Sequence, residues 1–111
     1  MTKITVTRKF DEVVKVVAIG HTGYASEGED IVCAAVSSVI QTAVLGLMQV
    51  AGVPIEFKQD EDIALMEIVI PEIEEDIRHD ANIILDTMLL GITNLHENYG
   101  KYINLEFKKS N

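Results

Sequence analysis

At 111 residues the chain has room for one domain, spanning 1–111, with a single modest core; 48% hydrophobic and 24% charged residues exclude the disordered and collagen-like classes. Eighteen acidic against nine basic side chains give a formal charge of -9, so phosphate backbones and anionic membranes are repelled. A basic protein or peptide is the natural partner, although acidity also serves solubility alone.

The chain opens on Met1-Thr2-Lys3-Ile4-Thr5-Val6, an alternating pattern without the apolar core of a secretion signal, so no export is expected. Residues 3–10 alternate and residues 13–19 form a Val-rich run, which predicts a β-hairpin with Asp11-Glu12 at its turn. A loop from Gly20 to Glu29 follows, with Gly20, Gly23 and Gly28 permitting backbone angles that other residues avoid.

Asp30 then precedes a long apolar run ending near Gly52, and as a favoured N-cap it predicts the start of a first helix. Residues 31–55 carry no charge, which invites comparison with a membrane span. Ser37, Ser38, Gln41, Thr42 and Gln49 interrupt the run, as do Gly46, Gly52 and Pro54, and Lys or Arg anchors are missing from its flanks. The reading is a buried helix of a soluble domain, with no membrane partner. Its apolar positions nearly encircle it, more than a sheet alone covers, which suggests a homodimer interface.

Val53–Phe57 and Ala64–Ile70 read as two more strands around the polar turn of residues 58–62. A second helix opens on the acidic first turn from Glu72 and runs to near Tyr99-Gly100; residues 102–107 alternate as a last strand. The order ββαββαβ predicts an α+β two-layer sandwich, a mostly antiparallel sheet with two helices on one face.

Chemistry concentrates between Gly20 and Cys33, where His21 ends a strand and the one cysteine of the chain opens a helix. A single cysteine excludes an internal disulfide and any Cys-x-x-Cys metal or redox motif, and points to a reducing compartment such as the cytoplasm. With Asp30 as N-cap, Cys33 would be the third helical residue, where free N–H groups and the positive dipole end favour a thiolate. An ordinary thiol is only a few per cent ionised at neutral pH, and the dipole offers about 0.3–1 kcal/mol. Glu27, Glu29 and Asp30 oppose ionisation, so a proton acceptor is needed, and His21 is the nearest in sequence. A cysteine in an apolar helix also serves simply as a small core residue, and a His after Gly as a turn residue, so the residues by themselves leave both readings open.

Gly20-His21, Gly28 and Asp30-Ile31-Val32-Cys33-Ala34-Ala35-Val36-Ser37 resemble the signature of the bacterial ribosomal-processing cysteine protease family, called Prp. The resemblance implies a homodimeric cytosolic peptidase that removes a short N-terminal extension from large-subunit ribosomal protein number twenty-seven, with no cofactor. It implies His21 and Cys33 as the catalytic pair, and Gly20, Asp30 and Ser37 as support through loop geometry, helix capping and local hydrogen bonding. Thr22 stands where many members have Ala. Charge agrees, since an acidic enzyme suits the end of a basic, RNA-binding protein. A mobile loop closing over an extended peptide would bring Tyr24 to the substrate, or Tyr24 anchors the loop on its own sheet.

Other residues call for less. Glu75, Asp76, His79 and Asp80 have helical spacing for a metal, but charges at a helix start are ordinarily a solvated face, so no metal is expected. His96 suits a helix C-terminus, and Met48, Met66 and Met88 suit core gaps. Two further functions compete with the peptidase: a non-catalytic ribosome assembly factor that binds a basic ribosomal protein, without direct nucleic-acid contact, and a thiol redox sensor, for which no second, resolving cysteine exists.

Overall fold

The computed structural model describes residues 1–20 and 27–110, and of residues 27–30 the backbone alone. Strands β1 (Thr2–Lys9), β2 (Glu12–Ile19), β3 (Glu56–Asp60), β4 (Leu65–Val69) and β5 (Ile103–Lys109) form one sheet, with helices α1 (Glu27–Leu45) and α2 (Glu75–Asn98) between them. The element order is the expected ββαββαβ, and the strands lie in the order β3-β4-β2-β1-β5. Three pairings are antiparallel and one, β1 with β5, is parallel, which leaves β2 at the centre and β1 an interior strand flanked by β2 and β5.

Alternation explains the inward face. Thr2, Ile4 and Val6 of β1 are buried and the residues between them are not. On β2 the buried positions are Val13, Val16 and Ala18, a pattern broken by one residue. A β-bulge accounts for the break, because the register shifts between Thr7 (opposite Lys15) and Arg8 (opposite Val13) and leaves Val14 as the extra residue. The Val14 carbonyl accepts from Ile70 N–H at 2.9 Å, just beyond β4.

Both helices cover this one face. Val32, Val36, Ile40 and Leu47 on the first helical stretch and Ala81, Leu85, Met88 and Ile92 on α2 meet Ile4, Val6, Val16 and Ile68 in one core. The helices also pack on each other, with Gly91 against Val39. Ile31–Val50 is long and apolar enough to cross a membrane by length and composition, but its inner stripe is core. Its outer apolar residues, Ile31, Leu45, Met48 and Val50, are exposed, so Met48 does not fill the core gap expected of it.

Several boundaries move from their expected places. The hairpin turns at Phe10-Asp11, not Asp11-Glu12: Lys9 pairs with Glu12, and both turn residues have positive φ, 51° and 64°, as a two-residue turn of type I′ requires. Helix α1 begins at Glu27, three residues ahead of the expected start, and ends in a π-helical turn, Gly46–Val50, closed by Ala51 N–H to the Gly46 carbonyl at 3.0 Å. The third strand starts at Glu56, not Val53. Val53 is instead buried ahead of it, with its N–H on the Leu47 carbonyl at 2.8 Å, and Pro54, which has no N–H to donate, follows. Helix α2 begins at Glu75, not Glu72, and Arg78 in its first turn reaches back to Glu12 (Nε to Oε1, 3.5 Å), where Asn82 also donates to Oε2 at 2.9 Å.

Candidate active site

Cys33 is the seventh residue of α1. The helix therefore starts too early for Asp30 to be its N-cap: Asp30 is its fourth residue, and Gly28 its second. This overturns the first-turn argument for a thiolate, because the free N–H groups of a helix belong to its first four residues and the dipole effect falls off within that turn. Whatever favours chemistry at Cys33 has to come from across the fold.

Among the described residues, the thiol faces the start of β1. Cys33 is half-buried, and its Sγ lies 3.1 Å from Oγ1 of Thr2, a hydrogen bond in which either atom can donate. Thr2 is 6% exposed and faces inward with Ile4 and Val6. Its backbone is fixed on one side by β5, with Thr2 N–H on the Tyr102 carbonyl at 3.0 Å and Thr2 opposite Ile103. On the other side it meets Gly20, which follows β2: a Cβ at Gly20 would stand 2.8 Å from Thr2 Cα, so the close approach of the two backbones admits no side chain there.

Gly20 is thus placed beside Thr2, and Thr2 joins it to the thiol. His21 and Tyr24, expected as proton acceptor and substrate contact, lie outside the described residues. Ser37 is one helical turn beyond Cys33 and borders a cavity of about 210 Å³ that is also lined by Gln59, Asp60, Glu61, Leu65 and Met66 from the β3–β4 hairpin. At the α2 start, His79 Nδ1 lies 3.2 Å from Asp80 Oδ1, both exposed, and among the described residues no cluster of three metal-ligating side chains forms. His96 sits in the last turn of α2.

Thr2 is a neighbour of the Cys33 thiol that the sequence did not single out. A signal for it existed: it shares the inward phase of Ile4 and Val6, so the pattern puts a hydroxyl on the apolar face of a strand, where it needs a partner.

Known proteins give this arrangement its context. A curated relative from Bacillus subtilis, the ribosomal processing cysteine protease Prp, is 26% identical over 101 residues, 89% of this chain and 90% of its own. Among solved structures, the Streptococcus mutans protein SMU.848 superposes with a TM-score of 0.89 at 31% identity, covering 99% of this chain and 96% of its own. Prp from Staphylococcus aureus, an essential ribosomal processing protease, superposes at 0.87 in complex with a substrate peptide (25% identity) and at 0.83 with a covalently linked product peptide (27% identity), each time over 97% of this chain and 100% of its own. The model of the family described as cysteine protease Prp matches residues 1–104, nearly the whole chain. With the expected sheet and helices in place, this chain belongs to the Prp family and is a cysteine protease.

Proposed function

We propose that this protease is a cytoplasmic, single-domain processing peptidase that removes the N-terminal extension of large-subunit ribosomal protein number twenty-seven, with Cys33 as nucleophile and His21 as its proton-transfer partner. The observation that carries the reading is the half-buried Cys33 thiol, facing the Thr2 hydroxyl in a fold whose relative is known with a covalently linked product peptide. His21 takes the Cys33 proton as the sulfur attacks the scissile carbonyl. The tetrahedral intermediate then collapses, the protonated imidazole returns its proton to the departing amine, and water hydrolyses the thioester to restore the thiol.

The formal charge of -9 supports a basic substrate, which an acidic surface attracts and orients. Gly20 sets the backbone entering the His21 segment. Ser37 borders a cavity one turn from the nucleophile, and Asp60 and Glu61 on its rim give a basic peptide an acidic edge to meet. Gly28 and Asp30 support the first turns of α1, and Tyr24 contacts the substrate. The enzyme acts as a homodimer: Val50 and Ile83 line an apolar cleft of about 540 Å³ between α1 and α2 and are 84% and 55% exposed, a surface that a second copy covers.

The test is Cys33→Ala with a peptide bearing the extension and its cleavage site. Loss of cleavage with an unchanged circular-dichroism spectrum is the expected result. Full activity of the variant in ribosome assembly would instead favour a non-catalytic assembly factor that only binds the ribosomal protein.

A further inference from the structure

We propose that Thr2 is a positioning residue for the nucleophile, its hydroxyl holding the Cys33 sulfur in place and donating a hydrogen bond to it once the thiol proton has left. The inference builds on the assignment of Cys33 as nucleophile made above.

The geometry is specific. The hydroxyl sits on an inward-facing position of β1 where an apolar side chain would fill the space equally well, and among the described residues its hydrogen-bond partner is Cys33 Sγ, 3.1 Å away. A buried hydroxyl without a partner is costly, so the two groups constrain each other. Thr2 is the stiffer of the pair. Branching at Cβ restricts its χ1, and its backbone is held by Tyr102 and Ile103 on one side and by Gly20 on the other. A side chain anchored in an interior strand thereby sets the direction of a sulfur on the helix above.

The hydroxyl serves both protonation states. While the thiol is protonated, S–H donates to Oγ1. When the base removes that proton, Oγ1–H rotates and donates to the sulfur anion, a charge-assisted bond about twice as strong as its neutral counterpart. Thr2 keeps its own proton throughout, so it neither replaces the base nor forms a bond to substrate. Seven residues into the helix, where the first-turn N–H groups are out of reach, this hydroxyl supplies the donor that the helix start does not.

The experiment is the rate of Cys33 alkylation by iodoacetamide as a function of pH, read on wild type, Thr2→Val and Thr2→Ser. Cys33 is the one cysteine of the chain, so every alkylated protein reports on it. Thr2→Val keeps the shape and removes the donor; the midpoint of its profile is expected to move up by about one pH unit, with alkylation at pH 7 about tenfold slower. Thr2→Ser restores the hydroxyl and is expected to return the midpoint to the wild-type position. A Thr2→Val profile superposing on wild type, or a Thr2→Ser profile that stays with Thr2→Val, overturns the proposal. Should Thr2→Val melt below the assay temperature, Thr2→Ala is read by the same two criteria. No substrate enters the measurement, so its outcome is separate from that of peptide cleavage by Cys33→Ala.

Discussion

Gly20 and Thr2 touch backbone to backbone where β2 and β1 end side by side: a methyl group on Gly20 would lie 2.8 Å from Thr2 Cα and against the Met1 carbonyl. The contact is made by main chain on both sides, which no rotamer change can relieve. Gly20→Ala must therefore part the two strands at the point where Thr2 faces the thiol, with overpacking of this kind costing about 1–3 kcal/mol. The expected outcome is a lower urea midpoint at unchanged slope, together with slower peptide cleavage. A variant as stable as wild type would mean that the strand ends separate freely and that this close approach does not constrain the site.

The turn at Phe10-Asp11 predicts a gain. Phe10 has φ 51° and is 87% exposed, so a bulky side chain occupies a left-handed position while burying little. That conformation costs an ordinary L-residue about 1–2 kcal/mol, and Asn tolerates it better because its short polar side chain bonds locally. Lys9 Nζ stands 5.9 Å from the Phe10 ring, an exposed contact that offsets only part of this. Phe10→Asn is expected to stabilise the protein by about 0.5–1 kcal/mol, seen as a higher melting temperature. A lower one would show that Phe10 packs on something that its exposure conceals.

At Gly91 two effects compete. A Cβ there would come 3.3 Å from Val39 Cγ1, tight but against a side chain that can shift. Replacing a mid-helix glycine by alanine gains about 0.5–1 kcal/mol, comparable to the crowding it introduces, so Gly91→Ala is expected to fall within about 1 kcal/mol of wild type. Gly91→Leu has no such balance. It must push α2 away from α1, and chemical denaturation should show it losing about 2 kcal/mol or more. Equal midpoints for the two variants would mean that the helices do not meet closely at this point.

What the sequence made legible follows periodicity. The alternation of Ile4 and Val6 and the helical spacing of Leu85, Met88, Leu89 and Ile92 recovered the element order and the covered face of the sheet. The misses have local causes. The Val-rich run from Val13 hides a bulge that resets its phase, so the turn was misplaced by one residue. Asp30 is a good cap by composition but sits inside a helix that starts before it. The parallel pairing of β5 with β1 joins segments a hundred residues apart, and no local pattern encodes it. The candidate site divides in the same way: Gly20 and Cys33 stand out in the sequence through the motif they share with the family, whereas Thr2 meets Cys33 through a contact across 31 residues.

The exposed apolar surface of the two helices leads to the remaining prediction. Ile83 and Leu90, 55% and 74% exposed, project from α2 beside the cleft formed with α1, where Val50 is 84% exposed. A two-fold dimer buries the same patch on both copies, so a charge placed at its centre appears twice in the interface and is desolvated each time. If the proposed dimer forms through this face, Ile83→Asp is expected to convert it to a monomer in sedimentation velocity while leaving the far-ultraviolet circular dichroism unchanged, since more than half of the side chain already faces solvent in the single chain. Alkylation of Cys33 should proceed at the wild-type rate in that monomer, because Thr2 and Cys33 belong to one chain and neither lines the cleft. A wild-type protein that sediments as a monomer at micromolar concentration would remove the dimer; an Ile83→Asp dimer would move its interface off this face.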